Sequence, residues 1–251
     1  MLLQMTSRSR AWLTVLCLAA ALAPAALDAA PADAAPKARD CPGKRGTLKV
    51  TGLGRVWHQG HSLYGCTAVY GRRPHTQRLG PWAPGAKVSW DGVSAAWTVP
   101  LRRGGVRSDR AWAASAEDGR RWLVGTRLVP RTADAPAREA RVQSIRLRDE
   151  SVAWVTQDGA VVLALHSPED DPTPLGTLPA PLTADHGLLL LGTWTGIPAA
   201  RLATTLALTE GDGDGDECGG SNPYTLTVRP DAGVPALGAT WWGGWSRPFC
   251  G

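Results

Sequence analysis

Several features are missing from this sequence, and each absence argues against a class of protein. No Cys-x-x-Cys pair occurs among the five cysteines, which argues against a zinc site built from them. Beyond the N-terminal segment no run reaches the roughly 18 to 20 apolar residues of a membrane span, and the most apolar stretch, 187–194, has the length of a strand. No amphipathic helical pattern follows that segment either. We therefore predict that the rest of the chain is all-β.

A large excess of positive charge is also missing. Of 27 basic residues 23 are Arg, and 22 residues are acidic. Without Arg8 and Arg10, which lie in a cleavable segment described next, the net charge is +3, too small to indicate nucleic-acid binding. Residues 102–148 contain twelve Arg against five acidic residues. This stretch is either solvated surface or a patch for an anionic wall polymer or a lipid head group.

The first 25 residues have the organisation of a secretory signal peptide. Arg8 and Arg10 precede an apolar stretch over 11–23, and Ala23-Pro24-Ala25 supplies the small-x-small pattern of a cleavage site. The alternative is an uncleaved membrane anchor, for which the apolar run is short. The mature protein is predicted to be secreted, with no membrane span. The predicted segments are a signal helix in 1–25, a disordered Ala/Pro spacer in 26–40 and a folded domain in 41–251.

Four cysteines remain after signal cleavage, and an even number in an exported protein indicates two disulfide bonds. Of the three pairings that four cysteines allow, we predict Cys41–Cys66 and Cys218–Cys250. Each of these pairs brackets neighbouring strand signals at one end of the chain. A Cys41–Cys250 bond that joins the two ends is the alternative.

The clearest structural signal is a β-hairpin over 151–166. Two runs rich in β-branched and apolar residues, 151–156 and 160–165, flank Asp158-Gly159, which favours a tight turn. Neither run alternates between apolar and polar residues. Both faces of this hairpin are therefore predicted to be covered by neighbouring sheets.

A tryptophan after a small or branched residue recurs along the chain, at steps of 40, 57, 40 and 47 residues. Steps of about 40 to 45 residues are typical of propeller blades. We predict repeated short antiparallel sheets in a β-propeller-like arrangement, with about five sheet units. The tryptophans concerned are Trp57, Trp97, Trp154, Trp194 and Trp241.

Three of these strand signatures carry a resemblance to known proteins. They are Arg55-Val56-Trp57 with Leu63-Tyr64-Gly65-Cys66, then Ser151-Val152-Ala153-Trp154, and then Gly187 to Trp194. They resemble the uncharacterised secreted propeller-like repeat proteins of high-GC bacteria, over roughly residues 41–208. The resemblance implies a propeller-like fold and a disulfide at Cys66, and it implies no catalytic residue and no function.

The sharpest local feature is the acidic loop around Asp212, Asp214 and Asp216. Carboxylates at every second residue of a glycine-rich loop can converge on a hard cation such as calcium. The loop lacks the glycine, the final glutamate and the flanking helices of an EF-hand. It is either a structural calcium site or a solvated acidic loop, and we predict no other cofactor.

The Trp241-Trp242-Gly243-Gly244-Trp245 segment is the second candidate site. Exposed Trp242 and Trp245 could stack on sugar rings, because an aromatic face complements their axial C–H groups. Alternatively, Trp241 belongs to the core and the other two cap the last sheet.

No nucleophile, base and orienting group can be assembled from neighbouring motifs, so we assign no catalytic residue. We expect a secreted, non-catalytic binding or scaffold module at or outside the cell surface. Its partner would be a cell-wall polymer, a glycan or another surface protein. The alternative is an extracellular glycan- or cell-wall-active hydrolase with carboxylates in a central channel.

The acidic loop gives the first testable prediction. If it binds calcium, calcium at about 100 times its dissociation constant should stabilise the fold by roughly 2.7 kcal/mol, measured as a higher melting temperature than in sodium of equal ionic strength. Changing Asp212 and Asp214 together to Asn should abolish this shift. Identical melting curves with calcium and with chelator would identify the loop as a solvated linker.

Overall fold

The computed structural model describes residues 41, 43–68, 73–130, 139–165, 173–175, 183–185, 188–215 and 219–246. The predicted signal peptide, the spacer and the Cys218–Cys250 bond lie outside these residues. Within them, no helix has the length and apolar character needed to cross a membrane.

Strands and one short helix make up this part of the chain. They are β1 (Thr47–Val50), β2 (Gly54–Gln59), β3 (Ser62–Thr67), β4 (His75–Pro81), β5 (Val88–Trp90), β6 (Ser94–Arg103), β7 (Val106–Ser115), β8 (Arg121–Thr126), β9 (Val142–Arg148), β10 (Ser151–Thr156), β11 (Ala160–Ala164), β12 (Thr173–Leu175), β13 (Thr183–Asp185), β14 (Leu188–Thr193), α1 (Ala199–Thr205), β15 (Ala207–Glu210), β16 (Asp214–Gly215), β17 (Gly219–Val228) and β18 (Leu237–Ser246).

These strands form four antiparallel sheets, numbered I to IV. Sheet I has the order β1-β2-β3-β4, sheet II β5-β6-β7-β8, sheet III β13-β14-β11-β10-β9 and sheet IV β12-β18-β17-β15, with β16 beside β17. The predicted all-β chain of repeated antiparallel sheets is confirmed. The described chain forms four sheets where about five units were predicted. The chain enters sheet IV with β12 before it completes sheet III with β14, so these two sheets are interlocked.

The central hairpin of β10 and β11 is buried on both faces, as its composition predicts. Val152, Trp154 and Val162 pack in one apolar cluster against sheet II. Ala153 and Val161 pack in a second cluster against sheet IV. A third cluster joins sheets I and II. The sheets therefore pack face to face in chain order, and sheet III needs a neighbour on each side because its strands β10 and β11 are buried at every position.

An aromatic pair recurs between two neighbouring central strands in three of the sheets. Its rings are stacked, with centroids 5.8 Å apart in sheet I, 6.1 Å in sheet II and 5.6 Å in sheet IV. Each pair joins residues that lie directly opposite each other in the strand register. Three of the four sheets therefore share this feature at their centre. The pairs are Trp57–Tyr64, Trp97–Trp112 and Tyr224–Trp241.

Trp97 and Trp154 occupy equivalent places, as predicted. Each is fully buried on the second strand of its sheet and faces the preceding sheet. The Trp97 Nε1–H donates to the Pro81 carbonyl at 2.8 Å, and the Trp154 Nε1–H donates to the Leu128 carbonyl at 2.7 Å. Both acceptors lie at or just after the last strand of the preceding sheet. The indole N–H groups thus tie each sheet to the one before it.

The prediction for Trp194 is wrong. Trp194 directly follows β14, within sheet III, so it does not begin a further sheet. The corresponding aromatic residue of sheet IV is Tyr224, which lies on the central strand β17 and packs against sheet III. A search for tryptophan alone could not find it, because the position requires a flat buried ring rather than an indole.

The expectation of no helix after the signal peptide is also wrong. Residues 201–208 were predicted as a strand, but α1 covers the first part of this segment and only β15 extends beyond it. Pro198 precedes the helix, and Leu202 and Ala203 bury one side of it. Two buried residues in seven are too short a pattern to be recognised as an amphipathic helix.

The predicted Cys41–Cys66 disulfide is present, and its Cα atoms are 5.8 Å apart. It lies on the face of sheet I that points away from sheet II, together with Trp57. Trp57 is only 2 % exposed there, although no sheet precedes sheet I in the described chain. The disulfide-bonded segment therefore covers the end of the array where another sheet would otherwise pack.

Trp154 gives a test of the packing between sheets II and III. Replacing Trp154 with Ala should lower the free energy of unfolding by about 3–5 kcal/mol, because it empties a fully buried site and leaves the Leu128 carbonyl without its donor. Denaturant unfolding followed by circular dichroism measures this loss. Val124, which is 59 % exposed, is the control: Val124→Ala should change stability by no more than about 0.5 kcal/mol. Equal losses in the two variants would contradict the packing described.

Candidate functional site

The face of sheet IV that points away from sheet III is the candidate site, and we call it the outer face. Successive residues of β18 point to opposite sides of the sheet. Trp241 is 2 % exposed and packs against sheet III, whereas Trp242 is 55 % exposed. Trp241 is therefore a core residue, and Trp242 is exposed on the outer face. Trp245 also lies in β18, but its side chain is outside the described part of the structure.

Four threonines lie side by side across the outer face. Thr209 of β15 pairs with Thr225 of β17, Thr225 pairs with Thr240 of β18, and Thr240 pairs with Thr173 of β12. We call these four residues the threonine row. Neighbouring strands are about 4.8 Å apart, so the row spans roughly 14 Å.

Trp242 lies two residues beyond Thr240 on the same strand, and therefore on the same face as the row. Pro223 lies opposite Trp242 on β17, and Thr227 extends the hydroxyl-bearing surface on the other side of the row. The outward positions of β17 and β18 in the described range 223–242 carry no charged side chain. The outer face thus carries hydroxyl groups beside one large exposed aromatic ring. The exposed Asp214 of β16 pairs with Ser221 of β17 and adds a negative charge to the same face.

The sequence analysis found Trp242 but missed the threonine row. Thr225 and Thr227 alternate with buried residues in β17, and this period of two is visible in the sequence. Their alignment with Thr240, Thr209 and Thr173 depends on strand register. Thr173 comes from a strand added to sheet IV out of chain order, so no local pattern could have placed it there.

The predicted calcium loop is described only in part. Asp212 and Asp214 are exposed, and Asp214 begins β16, which pairs with β17. Asp216 lies outside the described residues. Within the described residues no three His, Cys, Asp or Glu side chains are grouped so that they could hold a metal ion. The calcium site remains a prediction for the melting experiment above.

A polar network joins the β9–β10 turn of sheet III to sheet IV. The Tyr224 hydroxyl donates to Asp149 Oδ2, and Arg148 donates to Glu210 with Nε 2.8 Å from Oε2. Glu210 also accepts a hydrogen bond from the Asn222 side-chain amide. Burial, followed by the hydrogen bond to Asp149, raises the pKa of Tyr224 above its ordinary value of 10.0. The phenol therefore stays protonated and serves as a donor that fixes sheet IV against sheet III.

Asp149 and Glu150, at this turn, both have positive φ angles, 41° and 64°. Residues other than glycine adopt this conformation at a cost, so the contacts on each side must hold the turn. Asp149 accepts a hydrogen bond from the Tyr224 hydroxyl. Both carboxylate oxygens of Glu150 accept hydrogen bonds from Arg120 Nη2, each at 2.7 Å. The turn thus links sheets II, III and IV at one edge of the array.

Asp91, at the β5–β6 turn, lies near enough to this network to interact with it. Its Oδ1 accepts hydrogen bonds from the N–H groups of Val93 and Ser94 at 2.9 and 2.7 Å. Burial raises the pKa of Asp91 above its ordinary value of 3.8; the two N–H groups partly offset this rise, and the negative charge of Asp149 adds to it. A carboxylate with a perturbed pKa can mark an active centre, but these contacts also account for Asp91 as a turn-stabilising residue.

A shallow cavity of about 300 Å³ lies where the first strands of sheets I, II and III approach one another. Its charged lining residues are Lys49, Lys87 and Arg146, one from each sheet or the segment leading into it. Among the described residues that line it there is no carboxylate. This cavity is therefore basic, whereas the outer face of sheet IV carries the carboxylate of Asp214.

No protein-family model matches this chain, and no curated protein is significantly similar to it. We therefore propose a function for the outer face of sheet IV from its geometry.

Asp91 gives a prediction about pH. The pKa of Asp91 is raised in the folded state. The stabilisation that the Asp91 carboxyl group gives the fold is therefore complete while this group is protonated, and it is lost as the pH rises through the folded-state pKa. Asp91→Asn keeps the oxygen acceptor without the charge. We expect the variant to be at least as stable as the parent at pH 7, and expect this advantage to disappear below about pH 3.8, the ordinary value for Asp. Denaturant unfolding across pH measures it.

Glu139 provides a control, because its pKa is shifted in the opposite direction to that of Asp91. The Arg110 side chain donates to both of its oxygens at 2.8 Å and holds the pKa of Glu139 below its ordinary value of 4.5. The stabilisation that the charged Glu139 gives the fold is present above pH 4.5 and is lost as the pH falls. Glu139→Gln should therefore be less stable at pH 7 by at most about 1 kcal/mol, since the pair is partly exposed, and the difference should vanish in acid. The same sign for both variants would contradict the assignment of Asp91.

Proposed function

We propose that this chain is a secreted, non-catalytic module that binds a neutral glycan, at or outside the cell surface, through the outer face of sheet IV. The observation that carries the proposal is the exposed indole of Trp242 beside the threonine row. A flat aromatic ring complements the axial C–H groups of a sugar, and its exposed area is released from water when a sugar covers it. A surface patch made of one exposed indole and several hydroxyl groups suits a ligand that is itself both apolar and polar.

The hydroxyl groups of the row supply the directional part of recognition. Each threonine hydroxyl can donate one hydrogen bond and accept others, which matches the mixed donors and acceptors of sugar hydroxyls. Their regular spacing across strands would present these groups to several consecutive sugar units of an extended chain. The exposed carboxylate of Asp214 on this face would repel an acidic polysaccharide, which favours a neutral one.

The same proposal includes a propeller-like scaffold and export from the cell. One edge strand of each sheet contacts an edge strand of the next, β1 with β5, β5 with β9 and β9 with β15, as strands do when sheets are arranged around an axis. The Cys41–Cys66 bond fits an extracellular protein, because disulfides persist in oxidising compartments. On this arrangement the outer face of sheet IV is rigidly held at one end of the series.

The rival function is glycan hydrolysis by carboxylates at the turns that meet at one edge of the array. Asp91 and Asp149 are the candidates there. Both are already engaged, Asp91 with two backbone N–H groups and Asp149 with the Tyr224 hydroxyl. Release of soluble sugar from a bound glycan over time, abolished by Asp149→Asn, would favour the enzyme.

Binding to insoluble glycans tests the proposal. The chain without residues 1–25 should co-sediment with at least one neutral polysaccharide among cellulose, chitin and glucan. Trp242→Ala should weaken that binding by about tenfold or more, corresponding to the roughly 1.4 kcal/mol expected of a stacked aromatic contact.

The threonine row is tested by Thr225→Val and Thr240→Val together, which remove hydroxyls and preserve shape. Weaker binding is expected because the sugar hydroxyls lose their partners. Thr76→Val, at an exposed strand position of sheet I, is the matched control and should bind normally. Unchanged binding in Trp242→Ala, or equal loss in the control, would overturn the outer face as the site.

A further inference from the structure

The β6–β7 hairpin extends away from the rest of the described chain. Each of its strands has ten residues, whereas the strands on either side of it, β5 and β8, have three and six. All seven residues from Leu101 to Arg107 are exposed. Gly104 and Gly105 form the turn with φ angles of 56° and 83°, and a side-chain carbon added at either would meet no atom within 4 Å. We call residues 101–107 the hairpin tip.

The tip carries three arginines and no acidic residue. Arg102 and Arg107 lie directly opposite each other in the strand register, and Arg103 is next to the turn. Like charges in directly opposed positions destabilise a strand pair. An anion placed between these guanidinium groups would remove the repulsion and form charge-assisted hydrogen bonds with them.

The tip also exposes two large apolar side chains. Leu101 is 40 % exposed and Val106 is 58 % exposed. Val106 lies opposite Arg103, and Leu101 is two residues from Arg103 along the strand, so these side chains share one face of the hairpin. Exposed apolar side chains gain free energy when they leave water for an apolar phase.

We propose that the hairpin tip docks on the surface of an anionic phospholipid bilayer. The three arginines would bind phosphate groups, and Leu101 and Val106 would enter the boundary between head groups and acyl chains. A soluble polyanion would satisfy the arginines but offers no apolar phase to the other two side chains. This contact is separate from the outer face of sheet IV and does not depend on glycan binding.

Vesicle co-sedimentation tests the proposal, with the chain lacking residues 1–25. Binding is expected to vesicles of phosphatidylcholine mixed with phosphatidylglycerol, and much less to phosphatidylcholine alone. Arg102→Gln, Arg103→Gln and Arg107→Gln combined should weaken binding about a hundredfold, since each basic residue near an anionic surface contributes about fivefold. Leu101→Ser with Val106→Ser should weaken it by about tenfold. All five positions are exposed, so melting temperatures should stay near that of the parent.

Two matched controls separate the tip from general effects. Lys44→Gln, Arg45→Gln and Lys49→Gln combined remove the same charge from exposed positions in and before sheet I and should bind normally. Val124→Ser removes an apolar side chain of similar exposure and should also bind normally.

Three results would overturn the proposal. The first is no preference for anionic vesicles, and the second is an equal loss in the charge control. The third is normal vesicle binding by the Leu101/Val106 variant together with full competition by soluble dextran sulfate, which would identify the ligand as a polyanion in place of a bilayer.

Discussion

The structure depends on a hairpin that cannot face water on either side. The strands β10 and β11 are buried at every position, so one sheet must cover each face of sheet III. Sheet II does so on one side and sheet IV on the other, each through its own apolar cluster. The order of the whole array follows from this requirement, because an open-faced sheet III would expose far more apolar surface than a monomeric protein carries.

The aromatic residues turn this general requirement into a specific geometry. Apolar burial is non-directional, and sheets held by it alone could slide against one another. The hydrogen bonds from Trp97 and Trp154 to backbone carbonyls of the preceding sheet are directional, and they fix where each sheet lies. In sheet IV the Tyr224 hydroxyl has the corresponding task, but its partner is the Asp149 side chain in the turn of sheet III.

Much of this fold follows from local sequence signals. The β10–β11 hairpin, its two-sided burial, the positions of Trp97 and Trp154 and the Cys41–Cys66 bond were all predictable, because strand composition, turn residues and cysteine parity act over short distances. The number of sheets was not, since Trp194 ends a strand of sheet III and the Tyr224 position uses another aromatic residue. The threonine row was not predictable either. Its members come from four strands, and only the register and the early entry of β12 into sheet IV bring them together.

Sheets I and IV, at the two ends of the array, differ in whether their outward faces are covered. Sheet IV leaves a row of hydroxyl groups beside an exposed indole, whereas sheet I conceals its outward aromatic pair behind the segment held by Cys41 and Cys66.

This difference links solubility to the compartment in which the chain folds. In a reducing cytoplasm Cys41 would not be bonded, and the Trp57–Tyr64 face would be open to other unfolded or half-folded chains. In an oxidising environment the bond forms and the face is concealed. Oxidising conditions therefore protect this fold from association through sheet I, and reducing conditions would expose that face.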